Sequence, residues 1–157
     1  MKESSQNYSL SKGWKIIQPS TNAEWEAYIR LRYKVLRKPW NQDINTTKDE
    51  LEDKSVHFLI LNELDESVAT GRLQVNSETE AQIRSMAVHE KYRGRDIGNY
   101  LIQHLEKEAI IRGIKRIVLD AREPALNFYL KNNYKVVADS YLLFGIIKHF
   151  SMLKELQ

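Results

Sequence analysis

The stretch with the clearest capacity for chemistry is "YRGRDIG", residues 92–98, which directly precedes an apolar run of helical periodicity. The first turn of a helix leaves backbone N–H groups without internal partners, and the peptide dipoles add partial positive charge there. Gly94 and Gly98 let a ligand approach the backbone closely, and Arg93 and Arg95 add charge around it. The stretch therefore fits either a phosphate-binding loop or a solvated basic turn, and its residues alone favour the turn.

Asp96 lies inside this loop and works against an anion. Its ordinary role would be that of a helix N-cap, whose carboxylate accepts from the amides that a phosphate needs. A carboxylate about 8 Å from a phosphate charge costs about 2 kcal/mol at an effective dielectric near 20, whereas hydrogen bonds to charged groups contribute roughly 1.5–3 kcal/mol each. Two or three amides with Arg93 or Arg95 outweigh that cost if the Asp96 side chain points outward. The loop is neither a Walker P-loop nor a dinucleotide fingerprint, because its glycine spacing fits neither.

The composition predicts one globular domain. The chain has 157 residues, of which 42% are hydrophobic and 29% are charged. The absence of cysteine excludes disulfides and thiolate chemistry, and the four histidines are too dispersed to suggest ligand spacing, so we expect no metal. A net charge of +3 favours anionic partners without deciding between a nucleotide-like ligand and nucleic acid.

The amino-terminal sequence bears on the domain boundary. Residues 1–12 are polar and we expect them to be flexible, whereas residues 13–157 carry the periodic segments of a single domain. The first residues lack the apolar stretch of a signal peptide, and no later run has the length of a membrane span. A cytoplasmic location without membrane contact is the expectation.

Periodicity and turn signals predict the order of elements. A helix begins with the capping-box spacing of Thr21 and Glu24 and ends by Pro39, a second helix spans 97–112, and a short third helix has Pro124 in its first turn. The predicted strands are 14–19, 57–62, 68–75, 81–88, 115–121, 134–143 and 148–156. This order predicts a mixed α/β sheet with helices packed on it.

Two linked motifs identify a family resemblance. The segments "IRSMAVHEKYRGRDIGNYLIQHL" and "IVLDAREPALNFYLKNNYKVV" resemble the GNAT superfamily of acyl-CoA-dependent N-acetyltransferases. The family's loop pattern, Gln/Arg-x-x-Gly-x-Gly/Ala, falls on residues 93–98, with Asp96 in place of its first glycine. The family's helix pattern, Asn-x-x-Ala-x-x-x-Tyr, falls on Arg122, Ala125 and Tyr129, with arginine in place of asparagine.

The resemblance implies a fold and a cofactor site. The fold would be an α/β (α+β) GNAT fold, in which a mixed, mostly antiparallel twisted sheet of six to seven strands has helices on both faces, with residues 13–157 as the N-acetyltransferase domain. A homodimer through the last strands is left open. The implied cofactor-binding residues are Met86, Ala87, Val88, Arg93, Gly94, Arg95, Asp96, Ile97, Gly98, Asn99, Arg122, Ala125 and Phe128.

The implied reaction is transfer of an acetyl group from acetyl-CoA to a primary amine of a small molecule or peptide. The resemblance implies that strand 82–88 diverges from its neighbour after Val88, so that its backbone contacts the pantetheine arm and polarises the thioester oxygen. Tyr129 would protonate the leaving thiolate, since ordinary pKa values of about 10 and about 8.5 differ by only about 2 kcal/mol. Helical periodicity alone favours a packing role for Tyr129.

The general base and the acceptor pocket stay open at this level. Many family members carry a glutamate on the strand 82–88, but this chain has no carboxylate there. A water-mediated base is one alternative, and Trp40 either lines the acceptor pocket or anchors its long loop. The side chains that could replace the missing glutamate near the acceptor are Glu52, Asp53, His57 and His149.

Two other functions remain to be separated from catalysis. Asp96 and the missing strand glutamate are also compatible with a non-catalytic acyl-CoA-binding protein that acts as a sensor or regulator. The basic run "KYRGR" could contact nucleic acid or another protein, but no recognition helix or stacking platform accompanies it, so no nucleic-acid partner is expected.

Overall fold

A single mixed sheet organises the part of the chain that the computed structural model describes, residues 6–157. Its seven strands lie in the order β1-β2-β3-β4-β5-β7-β6. The strands are β1 Lys15–Ile17, β2 Ser55–Leu61, β3 Ser67–Val75, β4 Glu80–Val88, β5 Arg116–Arg122, β6 Lys135–Leu143 and β7 Ile147–Glu155. The helices are α1 Asn22–Leu36, α2 Ile97–Ile111 and α3 Leu126–Lys131. The predicted order of elements is confirmed.

The sheet opens between its two central strands. Every neighbouring pair is antiparallel except β4 and β5, which are parallel and pair only from Glu80 with Arg116 to Gln82 with Val118. Beyond this register no ladder holds the two strands together, so a cleft forms between them. The divergence thus begins after Gln82, earlier than the position after Val88 that the resemblance implied.

A β-bulge changes the direction of β4 beside this opening. The register with β3 shifts between Thr70 and Arg72, and Ser85 adopts a positive φ of 53°. The Thr70 hydroxyl donates to the Ser85 carbonyl at 3.1 Å, which fixes the distorted segment. Bulges re-aim the groups that follow them, so the last residues of β4 are turned relative to a regular strand.

Helices cover both faces of the sheet, as predicted. Helix α2 packs so closely on β3 that a Cβ at Gly71 would lie 3.1 Å from Leu105 and 3.2 Å from Leu101. Arg72 points to the opposite face because successive strand residues alternate, and there it lies under the loop that follows α1. The main apolar core therefore lies between the sheet and α2, and α1 closes the other face.

The helix termini follow the sequence signals with one difference. Thr21 accepts from the Glu24 amide at 3.1 Å and Glu24 accepts from the Thr21 amide at 3.2 Å, which is the predicted capping box. Pro124 lies in a 3₁₀ turn, Glu123–Ala125, and not in the first turn of α3. Asn133 adopts the left-handed conformation, with a φ of 70°, just beyond α3.

The amino-terminal segment contacts α2. Residues 1–5 of the segment predicted to be flexible lie outside the described residues. The Tyr8 amide donates to Gln103 at 3.3 Å, and the Gln103 side chain donates to the Gln6 carbonyl at 2.5 Å. Within residues 6–157, no helix combines the length and the apolar character needed to cross a membrane.

Candidate active site

The divergence of β4 and β5 produces a cleft of about 1210 Å³. One end is formed by the start of α2, and the opposite end by the last turn of α1 and the hairpin of β6 and β7. Helix α3 contributes one wall. A cleft of this size is large enough for an extended ligand.

The start of α2 presents unpartnered amides to the cleft. Within the described residues, the backbone N–H groups from 94 to 99 have no hydrogen-bond acceptor, and the first bond of the helix is that of the Tyr100 amide to the Asp96 carbonyl at 3.0 Å. These donors, together with the positive end of the helix dipole, suit a phosphate or diphosphate group.

Asp96 does not compete for these amides. It adopts the left-handed conformation with a φ of 59°, and its carboxylate makes no capping hydrogen bond to the helix backbone. The carboxylate accepts instead from the Asn99 side chain at 3.1 Å, and the Asn99 oxygen accepts from Asn132 at 2.9 Å. Asp96 therefore occupies the N-cap position without capping the helix through its carboxylate, and hydrogen-bonded side chains link the start of α2 to the end of α3.

The two arginines of the loop differ in position. Arg93 lines the cleft, and its Nε donates to the Val88 carbonyl at 3.2 Å. The Arg95 guanidinium lies over the Tyr92 ring, 5.6 Å from its centroid, and does not line the cleft. Arg93 is consequently the loop arginine that is placed to contact a ligand.

Gly98 provides the close approach between α2 and α3. A Cβ there would lie 3.0 Å from the nearest ring atom of Phe128, so a larger residue would displace that ring. Ala125 and Phe128 both line the cleft, as do Ile97 and Asn99. The small residue at 98 therefore keeps the α3 wall against the start of α2.

The free edge of β4 supplies backbone groups along the cleft. Met86, Ala87 and Val88 all line it. The His89 amide donates to the Val68 carbonyl on β3 at 2.8 Å. Because N–H direction alternates along a strand, the Val88 N–H points the other way, into the cleft.

Tyr129 of α3 is buried at the wall of the cleft. Its hydroxyl donates to the Met86 sulphur at 3.7 Å. Burial raises the pKa of Tyr129 well above its usual value of about 10, although the Arg122 charge partly opposes this. The hydroxyl therefore keeps its proton at neutral pH and can donate it to a group in the cleft.

His149 of β7 is buried at the opposite wall. Its Nδ1 lies 3.0 Å from the Ile147 carbonyl, so the proton of the neutral ring must be on Nδ1. Within residues 6–157, Nε2 has no hydrogen-bond partner and is not fully buried, which leaves its lone pair facing the cleft. Burial lowers the pKa of His149, and Tyr141 stacks on the ring at 4.5 Å. The ring is thus neutral, oriented and able to accept a proton.

The other candidate bases lie outside the cleft. Glu52 is paired with the buried guanidinium groups of Arg32 and Arg72. His57 accepts from the Tyr28 hydroxyl at 2.7 Å and donates from Nε2 to the Glu52 carbonyl at 2.7 Å, so both of its nitrogens are engaged. Asp53 is exposed in the 3₁₀ turn Glu52–Lys54.

Sequence reasoning missed several charged residues at the α1 end of the cleft. Arg37, Arg84 and Asp120 line it beside the predicted Trp40 and Arg122. Asp120 accepts from Ser140 at 2.7 Å and from Ser151 at 3.1 Å. A signal was present for β5, where polar residues at 120 and 122 alternate with apolar ones. Within the described part of the chain, no group of three or more potential ligand side chains could hold a metal ion.

Comparison with known proteins decides the family. The family model described as the acetyltransferase (GNAT) family matches residues 19–134. The chain belongs to this acetyltransferase family. The acetyltransferase SG1711 of Sodalis glossinidius is 33% identical over 113 residues, 70% of this chain and 78% of that protein. The uncharacterized N-acetyltransferase YjcF of Bacillus subtilis is 27% identical over 125 residues, 80% of this chain and 88% of that protein.

Solved GNAT-type structures share the fold. An aminoglycoside 6'-N-acetyltransferase in complex with coenzyme A has a TM-score of 0.75 at 18% identity, covering 90% of this chain and 96% of that one. A GNAT family acetyltransferase from Elizabethkingia anophelis, with acetyl-CoA bound, has a TM-score of 0.72 at 15% identity, covering 93% of this chain and 100% of that one. At these identities the likeness establishes the GNAT fold of the sheet and helices.

Proposed function

We propose that this acetyltransferase transfers the acetyl group of acetyl-CoA to the nitrogen of a small primary amine or a peptide amine. The observation that carries the proposal is the cleft itself, which has unpartnered amides at one end and a protonated tyrosine and a neutral histidine on its walls. The neighbours solved with coenzyme A and with acetyl-CoA support the same donor.

The start of α2 would hold the diphosphate of the donor. The free N–H groups from 94 to 99 fit a diphosphate, and Arg93 adds one positive charge at the same end of the cleft. From there the pantetheine arm would run along Met86, Ala87 and Val88, with Ala125 and Phe128 on the other side. Acetyl-CoA supplies an activated acyl thioester whose leaving group is the coenzyme A thiolate.

The Val88 N–H would stabilise the negative charge that develops on the thioester oxygen. It points away from β3 into the cleft, and β5, the strand that would otherwise accept its hydrogen bond, has already diverged. A preorganised donor of this kind contributes about 2.7–4 kcal/mol to catalysis. The bulge at Ser85 re-aims the backbone that carries it.

Tyr129 would donate its proton to the departing sulphur. Its hydroxyl lies 3.7 Å from the Met86 sulphur, so it is positioned beside the path of the pantetheine arm. Burial, which keeps the hydroxyl protonated, also disfavours a free tyrosinate, so reprotonation from solvent must accompany turnover. General acids in such positions typically contribute 10²- to 10⁴-fold.

His149 would accept the proton that the amine loses. The nitrogen becomes acidic as it bonds to the carbonyl carbon, and the free Nε2 lone pair lies on the acceptor side of the cleft. The Ile147 carbonyl and the Tyr141 ring fix the orientation of the imidazole. Of the four candidate bases, His149 would thus take the place of the glutamate that many family members carry on the strand equivalent to β4.

The test measures thiol release with a panel of polyamines, amino acids, aminoglycosides and peptides, together with the thermal shift produced by acetyl-CoA. Stabilisation of the fold by acetyl-CoA and amine-dependent thiol release would support the proposal. Stabilisation without turnover on any amine would identify a non-catalytic acyl-CoA-binding protein. No stabilisation and no turnover would overturn donor binding itself.

A further inference from the structure

The α1 end of the cleft carries an excess of positive charge. Arg37, Arg84 and Arg122 line this part of the cleft, where the carboxylates are Asp120 and Glu123. Asp120 is already bonded to two serine hydroxyls, and Arg84 approaches Asp49 at 3.9 Å. Arg37 and Arg122 form no ion pair with any carboxylate within residues 6–157.

Arg37 and Arg122 converge on one acceptor. Arg122 donates to the Leu36 carbonyl at 3.0 Å, and Arg37 approaches the same carbonyl at 3.5 Å. The Leu36 and Thr46 carbonyls, and the Phe144 ring that lies 5.3 Å from the Arg37 guanidinium, supply only partial negative charge, so no full counter-charge compensates these two half-buried cations. Burial lowers the pKa of Arg122, and the neighbouring Arg37 charge lowers it further. Both effects agree with a positive charge that has no full counter-charge.

Both guanidinium groups keep donors that face open space. Arg122 uses only Nη2, and Arg37 uses Nε and Nη1 in bonds to the carbonyls of Thr46 and Leu36. Their remaining nitrogens are not among the fully buried unpaired atoms of the described residues. Since both residues line the cleft, these donors are available to a ligand there.

Resting on the proposed function, we infer that the acceptor amine also carries an anionic group, which the Arg37 and Arg122 guanidinium groups bind. Arg122 lies directly opposite His149 in the register of β5 and β7, which places the two side chains on the same face at adjacent positions. An anion bound at Arg122 would therefore lie on the same face of the sheet as His149, which favours a small acceptor whose nitrogen is close to its anionic group. The substrate class is a small amine bearing a carboxylate or a phosphonate.

The experiment compares matched amines that differ only in the anionic group. The carboxylate arm uses lysine with 1,5-diaminopentane and tyrosine with tyramine, and the phosphonate arm uses 2-aminoethylphosphonate with ethylamine. We expect kcat/KM to be about 10- to 100-fold higher for the anionic member of a pair, as a charge-assisted pair of hydrogen bonds provides. The arm that shows the preference identifies the anion.

Variants assign the preference to the arginines. Arg37→Gln should remove most of the preference for anionic amines, because KM for those amines should rise while KM for acetyl-CoA stays unchanged. Arg37→Lys should restore part of the preference. Lys38→Gln is the matched control, because it removes one positive charge from an exposed neighbour that does not line the cleft. Equal kcat/KM for both members of every pair, or equal losses in Arg37→Gln and Lys38→Gln, would overturn the inference.

A binding measurement keeps this result separate from the question of turnover. Calorimetry with coenzyme A present would compare Nα-acetyllysine with N-acetyl-1,5-diaminopentane, and N-acetyl-2-aminoethylphosphonate with N-ethylacetamide. Tighter binding of the anionic member of a pair, lost in Arg37→Gln, supports the inference even if no amine is acetylated. The absence of acetylation would then refute only the proposed function. Turnover without any anion preference in rate or binding refutes only the inference.

Discussion

The Tyr129 hydroxyl lies 3.7 Å from the Met86 sulphur and so joins α3 to the free edge of β4 across the cleft. The two elements contribute different functions in the proposed reaction, a proton from the helix and backbone donors from the strand. Their contact exists because β5 leaves β4 after Gln82, which opens the space that the α3 side chains enter. The topology of the sheet thus creates the site.

Replacing Tyr129 by phenylalanine should lower kcat about 100-fold or more, with little change in the Kd of acetyl-CoA, because only proton donation is lost. Steady-state thiol release and calorimetry would measure the two quantities. Tyr134→Phe is the matched control, since that buried tyrosine donates to Glu106 and does not line the cleft. An unchanged kcat in Tyr129→Phe would remove Tyr129 from the mechanism.

Asp96→Asn should tighten coenzyme A binding by about threefold, since it removes a negative charge near the diphosphate that solvent partly screens. Asparagine tolerates the left-handed conformation and can still accept from Asn99, so the loop should keep its shape. Calorimetry at low salt would measure the gain in coenzyme A affinity, and a repeat at high salt would show that salt reduces this gain. Weaker binding would mean that the carboxylate holds the loop in its binding conformation.

His149 should determine the acid side of the pH profile. Because burial places its pKa below the usual value of about 6.5, the logarithm of kcat/KM should rise with slope two below that lowered pKa and slope one above it. The remaining slope reports deprotonation of the free amine. In His149→Gln, the rate should fall about 100-fold and the slope should be one throughout.

His104→Gln is the control for this profile. Its pKa is also lowered, mainly by burial, but the side chain lies on α2 away from the cleft. It should leave both slopes unchanged. A His149→Gln profile that retains slope two at acid pH would assign the proton to another group.

Glu52→Gln should destabilise the fold by about 3 kcal/mol, because the guanidinium groups of Arg32 and Arg72 are fully buried and would lose a shared partner. Chemical denaturation would measure the loss. Glu50→Gln, at an exposed neighbour, should change the free energy of unfolding by less than about 0.5 kcal/mol. Equal effects of the two changes would show that the buried pairs do not stabilise this loop.

The same cluster should govern stability in acid. Burial raises the pKa of Asp49, but hydrogen bonds from Arg72 and the Leu51 amide, with the Arg72 charge, outweigh burial and lower it to about 2. Burial also raises the pKa of Glu52. The hydrogen bonds and charge of Arg32 outweigh burial, so the pKa of Glu52 is lowered overall. The stabilisation is therefore complete above the unfolded pKa of about 4 and is lost as pH falls towards 2. Glu52→Gln should flatten this dependence, and an unchanged dependence would contradict the assignment.

The sequence predicted the fold well because its elements are signalled locally. The capping box at Thr21, the apolar period of α2 and the glycine that follows it act within a few residues of one another. The unpartnered amides at the start of α2 also follow from a helix start alone. The family pattern then predicted a catalytic role for Tyr129, which helical periodicity could not distinguish from a packing role.

The remaining site residues depend on tertiary contacts that no local pattern contains. Glu52 and His57 looked available as bases, but both are engaged by groups around Arg32 and Arg72, which have the sequence character of surface arginines. Similarly, Arg37 acquires its place in the cleft only because α1 ends beside β5. Divergence of the strands after Gln82 is equally a property of the assembled sheet.

The most direct test of the account is a titration of glycine-labelled protein with acetyl-CoA, followed by amide ¹⁵N and ¹H chemical shifts. If the start of α2 binds the diphosphate, the amides of Gly94 and Gly98 should shift strongly, whereas those of Gly13 and Gly113, which do not line the cleft, should stay in place within the same sample. Saturating acetyl-CoA that leaves the Gly94 and Gly98 resonances unmoved would contradict the central claim.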